Sequence, residues 1–375
     1  VKFRVERDVL AEAVTWTART LPSRPSVPVL AGVLLEANSD GTLVLSTFDY
    51  EVSARSSVAA EVDEPGSALV SGRLLAEISR ALPNKPVEVS VDGSKVVVVC
   101  GASRFTLLTM PVEDYPALPD LPDTTGSISG DAFAQAISQV TIAAGRDETL
   151  PLLTGVRVEI DGDKVTLLAT DRYRLAMREV AWTPASPSVS RVALIRARTL
   201  SDVAKNLSNA GSIDVALVEN GDIVGFEAGG RRTTSLLVDG EYPPVRRLFP
   251  EQTTTHTVTS TAELVEAAKR VALVAERNTP IRLSFSEGQV VLEAGQGDDA
   301  QASEVLESTL VGEDISTAFN PQYLLDGLGA LDTPFVRLSF THSSKPAVMT
   351  GQDSIDGADH AEEFRYLLMP IRFAS

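Results

Sequence analysis

One stretch of this chain is written twice at a fixed spacing, and that limits the possible folds more than any other feature. Pro28-Val29-Leu30-Ala31-Gly32 opens an alternating strand to Glu36, a turn at Asp40-Gly41, and the run Thr47-Phe48-Asp49-Tyr50-Glu51-Val52. Pro151-Leu152-Leu153-Thr154-Gly155 opens the same frame, through Glu159 and Asp161-Gly162 to Thr170-Asp171-Arg172-Tyr173-Arg174-Leu175-Ala176. Pro28, Gly32, Glu36 and Tyr50 recur 123 positions later as Pro151, Gly155, Glu159 and Tyr173. A chance similarity would drift across a strand, a turn and a second strand, so the simplest source is a duplicated domain. The period is too long for a solenoid repeat.

Helical periodicity supplies a third copy. Asp8 to Ala18 places Leu10, Ala13, Val14 and Thr17 on one stripe, Asp131 to Ala144 places Phe133, Ala136, Ile137 and Val140, and Ala262 to Ala275 places Leu264, Ala267, Ala268 and Val271. Ser260 with Glu263 has capping-box spacing at the start of the third. A second helix is expected in each copy, at Arg73–Leu82, Thr199–Leu207 and Pro321–Leu331. Hairpin signals follow the helices at Asp40-Gly41, Asp92-Gly93, Asp161-Gly162, Asn220-Gly221 and Glu287-Gly288, with a longer loop around His342-Ser343-Ser344-Lys345. The expected architecture is α+β: three duplicated domains, each of two helix-plus-hairpin half-units. Pro- and Thr-rich connectors at 119–127 and 243–257 divide the chain into domains 1–120, 121–250 and 251–375. A chain of 375 residues exceeds what one core usually organises, which agrees with several domains.

Chemistry is sparse. His256, His342 and His360 lie in different segments and Cys100 is the sole cysteine, so no metal-ligand spacing and no internal disulfide arise; Cys100, among valines, reads as a buried small hydrophobe. Asp353, Asp356, Asp359 and His360 depart from calcium-loop spacing and read as a solvated acidic loop. Neither a phosphate-binding glycine loop nor a dinucleotide fingerprint is present. Asp171 beside Arg172, Tyr173 and Arg174 has no second candidate acid, and it reads as a charge-capped strand end. No cofactor, metal or catalytic residue is expected. The start, Val1 to Glu6, alternates like a strand without a signal-peptide core, and no apolar run is long enough to span a membrane, so a cytoplasmic location is expected if Val1 lies near the native start. The net charge of −18 excludes binding of nucleic acid by a globally basic surface but leaves room for a local basic lining.

The triple repeat, the Thr170–Ala176 run, Glu241-Tyr242-Pro243-Pro244-Val245-Arg246-Arg247-Leu248 and the ending Tyr366-Leu367-Leu368-Met369-Pro370-Ile371-Arg372-Phe373 together resemble the bacterial sliding clamps, the beta subunits of DNA polymerase III. Phe3-Arg4-Val5-Glu6-Arg7 and Ser23-Arg24-Pro25-Ser26-Val27-Pro28-Val29-Leu30 match as well, and the arginine-rich, lysine-poor usage resembles actinobacterial members. The likeness runs through the whole chain.

What the resemblance implies is a head-to-tail homodimer closed into a ring, with inner helices around duplex DNA, outer antiparallel sheets and no sequence preference. Copies of one fold joined by a repeated heterologous contact leave no free end. Arg24 and Arg73 match DNA-facing positions of the family; Arg146, Arg196 and Arg198 occupy related places in the middle repeat. A groove for short hydrophobic peptides of the polymerase III alpha subunit, the clamp loader, repair polymerases and ligase-type clients is implied between the second and third domains. Its residues would be Leu153, Thr170, Arg172, Arg174 and Leu175, then Pro243, Arg247 and Leu248, then Leu367, Met369, Pro370 and Arg372. A proline- and methionine-bearing segment beside apolar and arginine residues suits such a groove, while core packing is the plain alternative for Leu175 and Leu368. Two departures touch it: the family usually has Gly-His where Arg172-Tyr173 stand, and Met and Leu where Ile371 and Phe373 stand. The dimer contact is expected to set Phe105 and Leu107 against Leu273 and Val274 of the second copy, with Glu304 meeting Arg104. Two other function classes fit duplicated α+β domains: a hydrolase using Asp171, and a repeat adhesion module, which would carry a secretion signal.

Overall fold

The structure is a computed structural model that describes residues 1–276, 279–295, 300–357 and 360–372; Asp359 and Phe373 lie outside these. Its six α-helices are α1 (Arg7–Ala18), α2 (Gly72–Ala81), α3 (Gly130–Thr141), α4 (Ala197–Leu207), α5 (Thr261–Val271) and α6 (Pro321–Gly329). Each is preceded by one strand and followed by three, as Lys2–Val5 precedes α1 and Gly32–Ala37, Thr42–Phe48 and Val52–Ala59 follow it, with a further short strand after α1 (Glu61–Glu64) and after α3 (Thr183–Pro184). The half-unit is therefore larger than a helix and a hairpin. Apart from Lys2–Val5, which alternates as read, the leading strands escape a periodicity reading, as in the short and polar Gly126–Ser129 and Thr255–Ser260. In three of them the strand runs straight into the residue that caps the helix: Ser71 accepts from the Leu74 amide, Ser260 from that of Glu263, and Asn320 from those of Gln322 and Tyr323.

The leading strand of each half-unit completes the sheet of the other half. Lys2–Val5 pairs with Val87–Asp92, and Gly66–Ser71 pairs with Gly32–Ala37. The same exchange joins Gly126–Ser129 to Ser212–Leu217, Ser190–Arg196 to Gly155–Asp161, Thr255–Ser260 to Phe335–Phe340, and Ile315–Phe319 to Ile281–Ser286. Neither half can bury its sheet alone, which makes the pair the folding unit.

The chain forms two compact units, 1–131 with 183–187 and 203–237, and 132–182 with 188–202 and 238–375. In the first, α1 packs on α2 over a core that includes Phe3, Leu10, Val14, Leu35, Leu75, Val98 and Leu107. Cys100 is buried as expected, its thiol donating to the Pro83 carbonyl at 3.2 Å. A nine-stranded sheet in this unit is continuous because Val52–Ala59 pairs with Arg231–Leu236. In the second unit α5 packs on α6, and Arg174–Ala181 pairs with Ala361–Leu368 within a twelve-stranded sheet. All strand pairs are antiparallel among the described residues, and no helix there is long and apolar enough to cross a membrane.

The repeat slips by one residue inside the hairpin. Gly32 and Gly155 are 123 apart, but Val52–Ala59 and Arg174–Ala181 begin 122 apart, so the counterpart of Tyr50 is Arg172 and not Tyr173. Both residues adopt left-handed backbone, with φ of 74° and 80°. Both follow an aspartate whose Oδ1 accepts two amides: Asp49 from Glu51 and Val52, Asp171 from Tyr173 and Arg174.

Candidate functional site

The turn after Lys164–Thr170 is fastened from within. The Thr170 hydroxyl donates to the Arg174 carbonyl and accepts from the Arg172 amide, while the Thr170 amide donates to the Tyr242 hydroxyl at 2.9 Å. Asp171 is consumed by the two amides and by Arg174 Nε at 3.1 Å, so it holds the turn in shape and leaves no free carboxylate for acid–base work.

Beside this turn lies a cleft of about 610 Å³ lined by 144–147, Leu150, Leu153, 171–174, Gln322, Tyr323 and Asp326. Arg174 is its most buried charged residue: Nη1 donates to Asp326 Oδ2 at 2.6 Å, and the guanidinium stands 4.2 Å from the centre of the Tyr323 ring. Burial opposes its charge, but Tyr366, Asp326 and Asp171 more than offset that and leave the guanidinium more firmly protonated than usual. Tyr173 stacks on Tyr323 with centroids 6.2 Å apart. Tyr173 and Arg172, the two departures from the family's usual Gly-His, are both exposed.

Next to the cleft is an apolar cluster of Leu168, Leu175, Met177, Leu194, Tyr242, Val245, Phe249, Val348 and Leu367. Leu175 and Leu367 are each 1 % exposed, so they are core beneath the surface and not open groove, the plain alternative raised for Leu175. Leu248 and Met369 are the large apolar residues exposed nearby in sequence to Tyr242 and Leu367, and Pro243, Arg247 and Arg372 are exposed with them. Pro370 is half-buried. The Met369 amide donates to the Tyr173 carbonyl at 3.0 Å and the Ile371 amide to the Ala318 carbonyl at 2.8 Å, tying the terminal segment to both the turn and the strand before α6.

Sequence reasoning missed Gln322, Tyr323, Asp326 and Tyr366. The first three stand on α6, where the sequence marks a helix but no local signal marks one of its faces as a wall of the cleft. It also missed that Met110-Pro111-Val112 matches Met369-Pro370-Ile371, a repeat open to inspection. Met110 and Val238 donate their amides to Leu69 and Leu194 as Ile371 does to Ala318, so the terminal segment is the third copy of the domain connector, with Ile371 and not Met369 in the place of Met110.

The arginines expected near DNA separate into groups. Arg24 and Arg73 are exposed, and Arg73 Nη2 donates to the Pro22 carbonyl at 3.4 Å, which ties the loop that carries Arg24 to the start of α2. Arg198 is exposed as the second residue of α4, and Arg196 pairs with Glu148 at 3.9 Å. Arg146 lines the cleft.

Three family models match along the chain: the N-terminal domain of the DNA polymerase III beta subunit over residues 1–119, its central domain over 127–244 and its C-terminal domain over 246–372. The chain belongs to the DNA polymerase III beta subunit family. It is 58 % identical to the beta sliding clamp of Streptomyces coelicolor over the full length of both, and 58 % identical to that of Micrococcus luteus over 83 % of this chain and all of the relative. Among solved structures, the Bacillus subtilis sliding clamp superposes with a TM-score of 0.92 at 26 % identity, covering 100 % of this chain and 99 % of that one. A Pseudomonas aeruginosa clamp bound to griselimycin does so at 0.91 and 28 %, covering 99 % of each. The actinobacterial resemblance holds, and nothing in these relatives points to a hydrolase.

Within this family fold, two strand edges stand out. Ser103–Leu108 ends the five-stranded sheet, and Ala302–Glu307, the first part of Ala302–Val311, pairs only with Gln289–Ala294. On the first, alternation sets Phe105 and Leu107 on one face and Leu108 on the other; Leu107 is 4 % exposed and packs in the core, while Phe105, nearer the strand's start, and Leu108 are exposed. Leu107 is thus corrected to a core residue, with Leu108 outward at 72 %. Leu273 is 84 % exposed and Val274 half-buried in a short 3-10 turn after α5. Glu304 is held by Arg270 of its own chain, at 2.5 and 2.8 Å, instead of standing free for Arg104.

Proposed function

We propose that this chain is a DNA sliding clamp: two copies close head to tail around duplex DNA and tether the replicative polymerase and other clients through a peptide groove at the Arg174 turn. The observation that carries the ring is the pairing rule of the third strands. Val52–Ala59 pairs with Arg231–Leu236 and Arg174–Ala181 with Ala361–Leu368, the third strand of one half-unit meeting that of the half-unit three further on. Ser103–Leu108 and Ala302–Val311 are the remaining two third strands, three half-units apart and unpaired with each other. In a second copy each finds its partner, so the rule continues across a heterologous contact that closes. The domains of this ring are 1–120, 121–250 and 251–375.

The dimer face is Phe105 on the free edge strand with Leu273 and Val274, an apolar centre bordered by Arg104 and the Arg270–Glu304 pair. Arg24, Arg73 and Arg198 face the DNA, and Arg146 and Arg196 are shared with the neighbourhood of the cleft. A ring held by topology has no need of tight phosphate contacts, which agrees with −18 overall charge and sparse cations. The clamp performs no chemistry, needs no cofactor and works in the cytoplasm. Its clients are the polymerase III alpha subunit, the clamp loader, repair polymerases and ligase-type proteins.

Solution mass combined with retention on nicked circular DNA tests this. A dimer retained on circles and released by linearisation is expected; a monomer, or retention that linearisation does not change, would overturn it.

A further inference from the structure

Arg174 belongs to the proposed groove, yet its guanidinium is bound inside the fold. Nε donates to Asp171 Oδ2 at 3.1 Å, and Nη1 donates to Asp326 Oδ2 at 2.6 Å and to the Tyr366 hydroxyl at 3.4 Å. Asp171 closes the turn itself, while Asp326 and Tyr366 lead to α6. Asp326 Oδ1 accepts from Gln322 Nε2 at 2.7 Å, and the Tyr366 hydroxyl donates to the Tyr323 carbonyl at 2.8 Å. The Tyr323 ring is met by the Arg174 guanidinium at 4.2 Å and by the Tyr173 ring at 6.2 Å. Tyr323 thus stands in the cleft with its backbone and ring both held, and it enters that position from a helix with no other tie to the Arg172-Tyr173 turn among the contacts described.

From this geometry we infer that Asp326 is a positioning residue for peptide recognition, acting through Arg174 to hold Tyr323 as a ready-made wall of the groove. The inference rests on the peptide-groove reading above. Two carboxylates share one guanidinium, so loss of Asp326 leaves Arg174 paired with Asp171 and the turn intact, whereas the link to α6 is cut. A wall that must be ordered on binding lowers affinity; one already ordered does not.

The test uses the full-length protein and a labelled peptide with a glutamine followed by spaced leucine and phenylalanine, titrated by fluorescence anisotropy. Asp326→Ala is expected to weaken binding about tenfold, within the range by which residues remote from a ligand modulate its affinity. Asp326→Asn keeps shape and an acceptor oxygen, guards against a folding defect, and is expected to lose roughly threefold. The decisive readout is coupling. In a Tyr323→Ala background, Asp326→Ala should cost nothing further in peptide affinity, while its effect on thermal stability persists. If the two losses multiply, or if both Asp326 variants bind within a factor of about two of the parent, the positioning role is wrong. Met369→Ala with Leu248→Asp separates the two levels: if that variant binds the peptide like the parent, the groove reading fails and this inference fails with it.

Discussion

The Thr170 amide donates to the hydroxyl of Tyr242 at 2.9 Å, across 72 residues of chain, and this bond seats the connector that leaves the middle domain. Tyr242-Pro243 has a counterpart in Tyr115-Pro116, which leaves the first domain. Both tyrosines are buried, and burial pushes both hydroxyls up to about 12. Tyr242 packs with Leu175 and Leu367; Tyr115 packs with Val29, Leu34, Phe48 and Leu69. Where the middle domain has the apolar pair Leu175 and Leu367, the first junction pairs Ser53 with Thr234 through their hydroxyls. The same plan thus has an apolar floor at one junction and a polar one at the other.

Tyr242→Phe keeps the ring but strands the Thr170 amide, and an unpaired buried donor costs about 1–3 kcal/mol. Chemical denaturation at neutral pH should show a loss in that range. The pH dependence has a definite sign. A hydroxyl whose folded pKa is raised stabilises the fold fully below the unfolded value near 10 and loses that contribution as pH climbs through about 12. The parent should therefore weaken over this alkaline window more than Tyr242→Phe does. Equal slopes would remove Tyr242 as the cause, leaving Tyr115.

The dimer face separates cleanly by exposure. Leu273→Ala with Val274→Asp is expected to give folded monomers, because a carboxylate would otherwise be buried in the contact without a partner. Phe105→Asp should do the same. Leu107→Ala should behave differently, costing about 2–5 kcal/mol of stability as a core truncation. Sedimentation velocity distinguishes these outcomes: a Leu273/Val274 variant that remains dimeric excludes this face.

Much of this fold is legible in the chain because helical stripes and turn dipeptides are local signals. Leu10, Ala13 and Val14 mark α1, and Asp92-Gly93 lies between its strands as expected. Lys2–Val5 alternates and is legible, but a leading strand such as Gly126–Ser129 is not, because it owes its place to Ser212–Leu217, far along the chain. The one-residue slip at Tyr50 is hidden for a related reason: a shared tyrosine suggested the wrong alignment, and only the left-handed backbone of Tyr50 and Arg172 identifies the true counterparts. The site was half legible. Leu153, Arg172 and Arg174 line one cleft, but Leu175 and Leu367 are buried in the core beside it, and the placing of Tyr323 is a tertiary product of Arg174 and Asp326 that no spacing encodes.

Arg24→Ala with Arg73→Ala should impair loading onto primed DNA more than it impairs folding. Both side chains are exposed and only Arg73 has a hydrogen bond described, a long one to Pro22, so the stability change should stay within about 0.5 kcal/mol for each. Any residual DNA contact should weaken with salt and show no sequence preference. Loading of the double variant at the parent's efficiency would move the DNA-facing role to other arginines.

Removing Met369 to Ser375 should abolish polymerase and loader binding while leaving a dimer. The segment supplies Met369, exposed at 41 %, together with Pro370 and Arg372, and its amides at Met369 and Ile371 join the Tyr173 carbonyl to the strand Ile315–Phe319. Losing those two backbone bonds costs about 1–3 kcal/mol of local stability. The sheet edges at Ser103–Leu108 and Ala302–Glu307 involve neither bond. Peptide grooves draw most of their affinity from a few buried anchors, so the loss of one wall should cost roughly 2 kcal/mol or more, about thirtyfold. A short peptide with a glutamine followed by spaced leucine and phenylalanine should compete with polymerase on the parent and show no saturable binding to the truncated dimer. Binding of that peptide to the truncation within a factor of about three, an effect near 0.6 kcal/mol, would mean that the groove lies elsewhere.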